Sequence, residues 1–317
     1  ILRHFLGFLL PDAPSLLNSA IVLGLDTVRW ENKPHPITEI GIAEWDGFIN
    51  PGKDVGTHCE NALINIRAAH MRLKLHAHLL NKQAGAGDPE NFIFGKTVFV
   101  DEDTAKQALA VVFKRRDFEN GPLVPVILIG HGIAADIANL KETLGVDVLA
   151  YHSIVKIIDT QALASTIPSL SYSRTAGHNA TTISLQMLLA HFGIPIEAFN
   201  TAGNDVTYTL ILAILLCYND QSTAVPRPTQ NNVHISTVIR NLKTVCSEQE
   251  ALPFGDEKWC TRCSGVGHFR KECRTDLSCE YCVTSSSPKA QQTAYTHMVE
   301  KCLFKANLVG SPRPNSE

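Results

Sequence analysis

The sequence predicts an α/β layer architecture with a mixed sheet, followed by a small cysteine-rich module. Three observations carry this. Strand-like apolar runs come first, they alternate with helical patterns later, and six of the nine cysteines crowd between Cys260 and Cys302.

Ser19–Trp30 reads as a strand whose apolar part ends at Asp26, and Ile37–Trp45 as its hairpin neighbour across the turn signal Asn32-Lys33-Pro34. Ala62–Asn81 lacks Pro and Gly and is expected to be helical, with Ala84–Pro89 as a loop. Phe92–Val100 is expected to be a strand, and Glu102–Arg115 has helical spacing at Ala105, Leu109, Val112 and Phe113. Val124–Ile129 is continuously apolar and closed by Gly130, as a buried parallel strand would be. A helix over Ala134–Leu144, a strand over Val155–Asp159 and a helix over Thr182–Phe192 follow. Asp205–Tyr218 is apolar nearly all round, which predicts a buried helix. Asn219–Asn232 is polar and carries Pro226 and Pro228, so the domain boundary is placed there, before an amphipathic helix over Val233–Val245.

The 317 residues allow one large domain or a medium one with an appendage. Hydrophobic residues at 44% against 19% charged permit a sizeable core and exclude wholesale disorder. A net charge of -3 supplies no chain-wide attraction for polyanions, so nucleic-acid contact requires a local patch. The longest apolar run, Leu210–Cys217, is far short of the roughly 20 residues of a spanning helix, and a soluble, intracellular protein of nucleus or cytoplasm is expected. The chain starts at Ile1 rather than Met; we expect a cut or processed boundary there and assign no targeting to Phe5–Leu10.

Cys260, Cys263, His268 and Cys273 are spaced C-x2-C-x4-H-x4-C. Two thiolates two residues apart can bite one ion from a tight turn, and Gly265 and Gly267 let the chain fold back over it. Three sulfurs and one imidazole suit tetrahedral zinc and leave no position open for chemistry, so the ion is expected to be structural. The pattern resembles the CCHC zinc knuckle. Cys279, Cys282, His297 and Cys302 repeat the outer spacings around a 14-residue middle, Val283–Thr296, whose Ser285-Ser286-Ser287-Pro288 favours an excursion over packing. Two structural zinc ions are therefore expected, with folding of this module dependent on them.

Knuckles of this kind bind single-stranded nucleic acid by stacking bases on aromatic rings flanked by basic groups. Trp259, Phe269 and Tyr281 supply rings; Lys258, Arg262, Arg270, Lys271 and Arg274 supply charge, against Glu272 alone. The competing reading is a protein-docking module in which Trp259 and Phe269 pack the mini-core.

Asp26, Asp136 and Asp205 stand at the ends of a strand, a helix and a helix. Convergence on one sheet edge would hold hard cations for two-metal phosphodiester hydrolysis. Here the chain resembles a known family, the DEDD 3'-5' exonucleases of the ribonuclease H-like superfamily, especially a fungal branch. The resemblance covers about residues 20–218. It rests on Ile21-Val22-Leu23-Gly24-Leu25-Asp26-Thr27, Thr38-Glu39-Ile40-Gly41-Ile42-Ala43, Asn91-Phe92-Ile93-Phe94-Gly95, Ile127-Leu128-Ile129-Gly130-His131 with Asp136 and Leu140, Ile158-Asp159-Thr160-Gln161, and Ala202-Gly203-Asn204-Asp205. It implies a ribonuclease H-like mixed sheet flanked by helices, with the family's metal-binding aspartates on Asp26, Asp136 and Asp205.

Two positions depart from the family pattern. The D-x-E of the first strand reads Asp26-Thr27-Val28, and Glu31, an odd number of residues from Asp26, points to the other face of a regular strand. The general-base histidine five residues before the last aspartate is Asn200. Loss of general-base assistance alone costs about 10²- to 10⁴-fold. His131 and His191 are read as core or surface histidines.

The domains expected are an N-terminal segment (1–19), an exonuclease-type domain (20–218), a linker with a short helix (219–256), tandem knuckles (257–303) and a disordered tail (304–317). The function expected is zinc-dependent binding of single-stranded nucleic acid, RNA before DNA, without membrane attachment, by a protein whose exonuclease domain is degenerate. Residual magnesium or manganese would sit at the three aspartates. The alternatives are an active metal-dependent 3'-5' exonuclease and a protein-docking scaffold.

Overall fold

The computed structural model describes residues 1–45, 54–166, 183–218 and 233–309. After a short helix, α1 (Leu2–Phe5), strands β1 (Ile21–Arg29) and β2 (Ile37–Trp45) form the expected antiparallel hairpin. A one-turn α2 (Glu60–Leu63) leads to β3 (Ile66–Leu73), antiparallel to β2, and β4 (Thr97–Val100) lies parallel to β3. Then come α3 (Glu102–Phe113), β5 (Val126–Gly130) parallel to β1, α4 (Ala134–Leu144) and β6 (Ile154–Asp159) parallel to β5. Helices α5 (Thr160–Ser165), α6 (Leu185–His191), α7 (Ala202–Tyr218) and α8 (Ile235–Ser247) complete the large domain. The cysteine-rich part holds α9 (Glu280–Val283), α10 (Pro288–Gln292) and α11 (Leu303–Val309).

The strand order β4-β3-β2-β1-β5-β6 makes a mixed sheet with a core on each face. Val22, Ala43, Trp45, Ile66 and Ile127 pack against α6, α7 and α8. Leu23, Leu25, Ile40, Ile42, Met71 and Leu128 pack on the opposite face with residues of α3 and α4. Because strand side chains alternate, this division puts Asp26 on the α7 face. Helix α7 is buried along almost its whole length, as its all-round apolar sequence requires. It lies so close to β2 that a Cβ at Gly41 would overlap the Ala202 carbonyl, so only glycine fits there.

The helix expected over Ala62–Asn81 is a correction: its middle is β3. His70 and Arg72 are buried polar residues, and they hide the period-2 alternation that would have marked the strand. The strand expected over Phe92–Val100 is confined to Thr97–Val100. The preceding loop is held by Asn204, whose Oδ1 accepts from Ile93 N (3.0 Å) and whose Nδ2 donates to Asn91 O (2.8 Å). The segment Val283–Thr296 packs instead of making an excursion: Pro288 starts α10, and Ala290 and Ala294 are buried against Cys279, Cys282 and Cys302. Helix α11 occupies residues assigned to a disordered tail; the rest of that tail, the boundary segment 219–232 and Thr182 lie outside the described residues. The short helix of the expected linker region, α8, buries Ile235, Val238, Ile239, Leu242 and Cys246 in the α7-side core.

The cysteine-rich module is fastened to the free edge of the sheet. Asp256 bridges to Phe99 beside β4, and its carboxylate meets Lys74 Nζ at 2.7 Å. Lys74 also stacks over the Trp259 ring (5.1 Å), and Lys301 Nζ donates to Lys74 O (2.9 Å). Among the described residues no helix is long and apolar enough to cross a membrane.

Candidate functional site

Asp26 lies at the end of the apolar run of β1, beyond the last β1–β5 pair, Gly24 with Ile129. Asp136 lies on the first turn of α4, where its Oδ1 accepts from both Thr27 N (2.8 Å) and Thr27 Oγ1 (2.7 Å). Asn139 Nδ2 donates in turn to that hydroxyl (3.0 Å), so Thr27, the middle residue of the first motif, ties α4 to β1. Asp205 sits in the first turn of α7, and its Oδ1 accepts from Asn200 N (3.2 Å).

The three aspartates are electrostatic neighbours. Burial, then the charges of Asp136, Asp205 and Glu39, push the Asp26 pKa well above the usual carboxylate range. Burial lifts Asp136 to about 6 against the opposing bonds from Thr27, and lifts Asp205 to about 8 against the bond from Asn200. A cation in the cleft would relieve this crowding of negative charge. The acids are not drawn as tight as a filled metal site. Among the described residues, three or more ligand atoms within 4.8 Å of one another occur only in the two Cys/His groups.

Asp26 and Asp205 line a cleft of about 500 Å³ together with Gly85, His131, Gln161 and Asn200. Asn200, in the left-handed region at φ 60°, donates its amide to the Gly85 carbonyl. His131 Nδ1 pairs with Thr160 Oγ1 (2.8 Å), while its buried Nε2 has no hydrogen-bond partner. Glu31 faces elsewhere, accepting from Lys82 N and Gln83 N.

Sequence reasoning missed Glu39. The β1–β2 register sets it opposite Val28, on the face that carries Asp26. Its Oε2 is already engaged, by His70 Nε2 (3.0 Å) and Ala202 N (3.1 Å). The carboxylate fixes the histidine tautomer, so Nδ1 accepts from Thr97 Oγ1 (2.9 Å). Glu39 thus anchors the start of α7, and through it the position of Asp205. A lone acid within the Thr38–Ala43 run, placed by hairpin register, was the available signal.

In the cysteine-rich module the two predicted quartets come together, each with all its ligand atoms within 4.8 Å of one another. Cys263 Sγ lies 3.4 Å from His268 Nε2, and Cys282 Sγ lies 3.6 Å from His297 Nε2 and 3.5 Å from Cys302 Sγ. Metal–sulfur and metal–nitrogen bonds of about 2.3 and 2.0 Å in a tetrahedron require edges of about 3.5–3.8 Å, so both quartets fit zinc. His297 Nδ1 meets Thr296 Oγ1 at 3.1 Å, which holds the ring with Nε2 toward the sulfurs.

The expected nucleic-acid contacts divide. Lys258, Arg270, Lys271 and Arg274 are exposed, and Phe269 is half-buried at the rim of a pocket. Arg262 is turned inward: Nε donates to Thr296 O (3.0 Å), Nη1 to Cys273 O (3.1 Å) and Nη2 to Tyr295 O (3.4 Å), which locks the two quartets together. Trp259 packs under Lys74, and Tyr281 packs on the buried cysteines of the second quartet.

A family profile described as DEDDh_C, DNA polymerase III subunit epsilon-like, C-terminal domain, matches residues 21–216. The chain belongs to this DEDDh family. The DEDDh match covers all six strands and every aspartate of the cleft. A yeast relative, the uncharacterized protein YDR514C of Saccharomyces cerevisiae, is 25% identical over 218 residues, which is 63% of this chain and 41% of the relative. Among solved structures, exonuclease I is similar at 13% identity and a TM-score of 0.40, over 63% of this chain and 41% of that one. The zinc-ion-bound form of the E. coli ExoI–ssDNA complex is similar at 12% identity, with a TM-score of 0.40 and the same coverage. The chain thus spans about two fifths of the length of each. Asp26, Asp136 and Asp205 lie within the matched residues, as do Val28 and Asn200.

Proposed function

We propose that this protein binds single-stranded nucleic acid, RNA in preference to DNA, through a two-zinc module, and that its exonuclease domain is degenerate. The observation that carries the reading is that Asn200 lines the cleft of Asp26 and Asp205, while Val28 stands two residues after Asp26 on the same strand. An aliphatic side chain offers no ligand to a metal. The Asn200 amide, bound to Gly85 O, accepts no proton from water. Glu39 is held by His70 and Ala202 and serves as an anchor for α7 rather than as a replacement ligand. The three aspartates would hold one magnesium or manganese ion weakly, and such an ion would supply Lewis-acid polarisation of a phosphodiester oxygen. Two zinc ions would be structural, with no position left for water. RNA is favoured because zinc knuckles are among the modules that read unpaired RNA bases by stacking.

One observation favours the active-enzyme reading. His131 lines the acidic cleft with its Nδ1 paired to Thr160 Oγ1, and burial lowers its pKa. Under that reading it takes the proton that Asn200 cannot.

Binding is tested by fluorescence anisotropy of a labelled 20-nucleotide RNA strand, its DNA counterpart and the duplex. The RNA strand is expected to bind tightest. For a strand with four neutralised phosphates, affinity should fall about 50-fold between 50 and 200 mM salt, from a slope of about -0.7 per phosphate. Undetectable or salt-independent binding would move the assignment to a protein-docking scaffold.

A further inference from the structure

Resting on the strand-binding reading, we propose that one nucleotide of a bound strand is held in a pocket built jointly by the sheet edge and the first zinc quartet, with Arg72 as its phosphate-binding residue. The pocket measures about 310 Å³, and Arg72, Phe92, Lys96, Phe99, Phe269 and Lys271 line it. That volume lies at the lower end of the range for small-ligand sites, about 300–1,000 Å³, and suits one nucleotide.

Arg72 is the decisive residue. It is 2% exposed, yet its Nε and Nη1 have no hydrogen-bond partner; only Nη2 is used, donating to Ala77 O (2.6 Å). A buried guanidinium with two idle donors is costly unless a ligand satisfies them. Each idle N–H can donate a charge-assisted hydrogen bond to a phosphate oxygen. The guanidinium carbon lies 5.0 Å from the centre of the Phe99 ring.

The surroundings fit the rest of a nucleotide. Phe269, from the zinc module, and Phe92, from the loop before β4, offer apolar faces for a base. Lys96 and Lys271 approach from the two domains and add positive charge. Glu90 and Glu257, also in the lining, can accept hydrogen bonds from exocyclic amines but oppose a second phosphate.

The sheet also connects this pocket to the acidic cleft. Phe99, Arg72, Glu39 and Val28 stand in one register row across β4, β3, β2 and β1. Arg72 further lines a small cavity shared with Val28, Glu39 and Asn200, and Asn200 lines the cleft of Asp26 and Asp205.

The test uses the full zinc-loaded chain and a fluorescein-labelled 12-nucleotide RNA carrying 5-iodouridine. Lys96 is exposed and outside the zinc module, so Lys96→Glu leaves the fold and the basic patch around His268 intact. Its affinity is expected to fall about 5- to 10-fold, with a shallower salt dependence. Arg72→Lys, which keeps the charge and loses the guanidinium's separate donors, is expected to fall at least 10-fold. Photocrosslinks are expected on both the 89–99 and the 268–271 peptides. Wild-type affinity in both variants, with crosslinks confined to 257–303, overturns the pocket while strand binding by the zinc module stands. Displacement by micromolar UMP identifies a free-nucleotide site and overturns the assignment to a strand. Absence of binding by the wild-type chain overturns both readings.

Discussion

The double substitution Val28→Glu with Asn200→His is expected to turn the chain into a manganese-dependent trimmer of 3' ends, raising the rate at least about 10²-fold over wild type. Each change restores one missing part. Val28 is two residues from Asp26 on the same strand, so a carboxylate there shares its face and can join it on an ion. Histidine at position 200 supplies a proton acceptor, worth about 10²- to 10⁴-fold. The backbone there is left-handed, at φ 60°, a region in which histidine, like asparagine, is enriched. The new acid would face Glu39 across the hairpin, and like charges directly opposite destabilise a sheet. The variant should therefore melt lower than wild type without metal and regain stability when manganese is added. Single-turnover decay of a 5'-labelled strand checks the rate, and a thermal melt with and without manganese checks the linkage. A double variant that binds manganese and still leaves the strand intact would place the defect elsewhere in the cleft.

Removing zinc should have the second large effect, and a local one. Each quartet comes from a short segment whose own apolar cluster is small: five buried residues, three of them cysteines, at the second quartet. Structural zinc in small modules contributes an apparent 10–16 kcal/mol, about, more than such a cluster supplies by burial. Chelation is expected to abolish amide protection from Cys260 to Lys301 while β1 and β5 stay protected. Contacts that fasten the module to the sheet, Lys301 to Lys74 and Trp259 under Lys74, should go with it. Strand affinity should drop at least 100-fold. Hydrogen exchange followed by mass spectrometry resolves the two regions; retained protection over 260–301 in zinc-free protein would refute the structural role.

Legibility differed between the two halves for a physical reason. The Cys and His residues of the quartets are local: spacing along the chain decides which eight side chains meet, and both quartets were visible in the sequence. Central strands β1, β2 and β5 were equally plain, because β1 and β5 carry continuous apolar runs and β2 follows β1 across a turn signal. Strand β3 was not, since His70 and Arg72 are buried polar groups whose partners Glu39, Thr97 and Phe99 are distant in sequence. The same distance hid the anchoring role of Glu39 and the inward turn of Arg262, whose carbonyl partners lie up to 34 residues away. Spacing reveals which residue types are present; only the sheet register shows which of them are already engaged.

The central claim is that the wild-type chain holds a strand without cutting it. It is tested most directly by incubating saturating wild-type protein with a 5'-labelled single-stranded RNA in manganese and resolving the products on a denaturing gel. The account predicts that full-length strand persists while the same mixture shows it bound. A ladder shortened from the 3' end, and lost in Asp205→Ala, would contradict it.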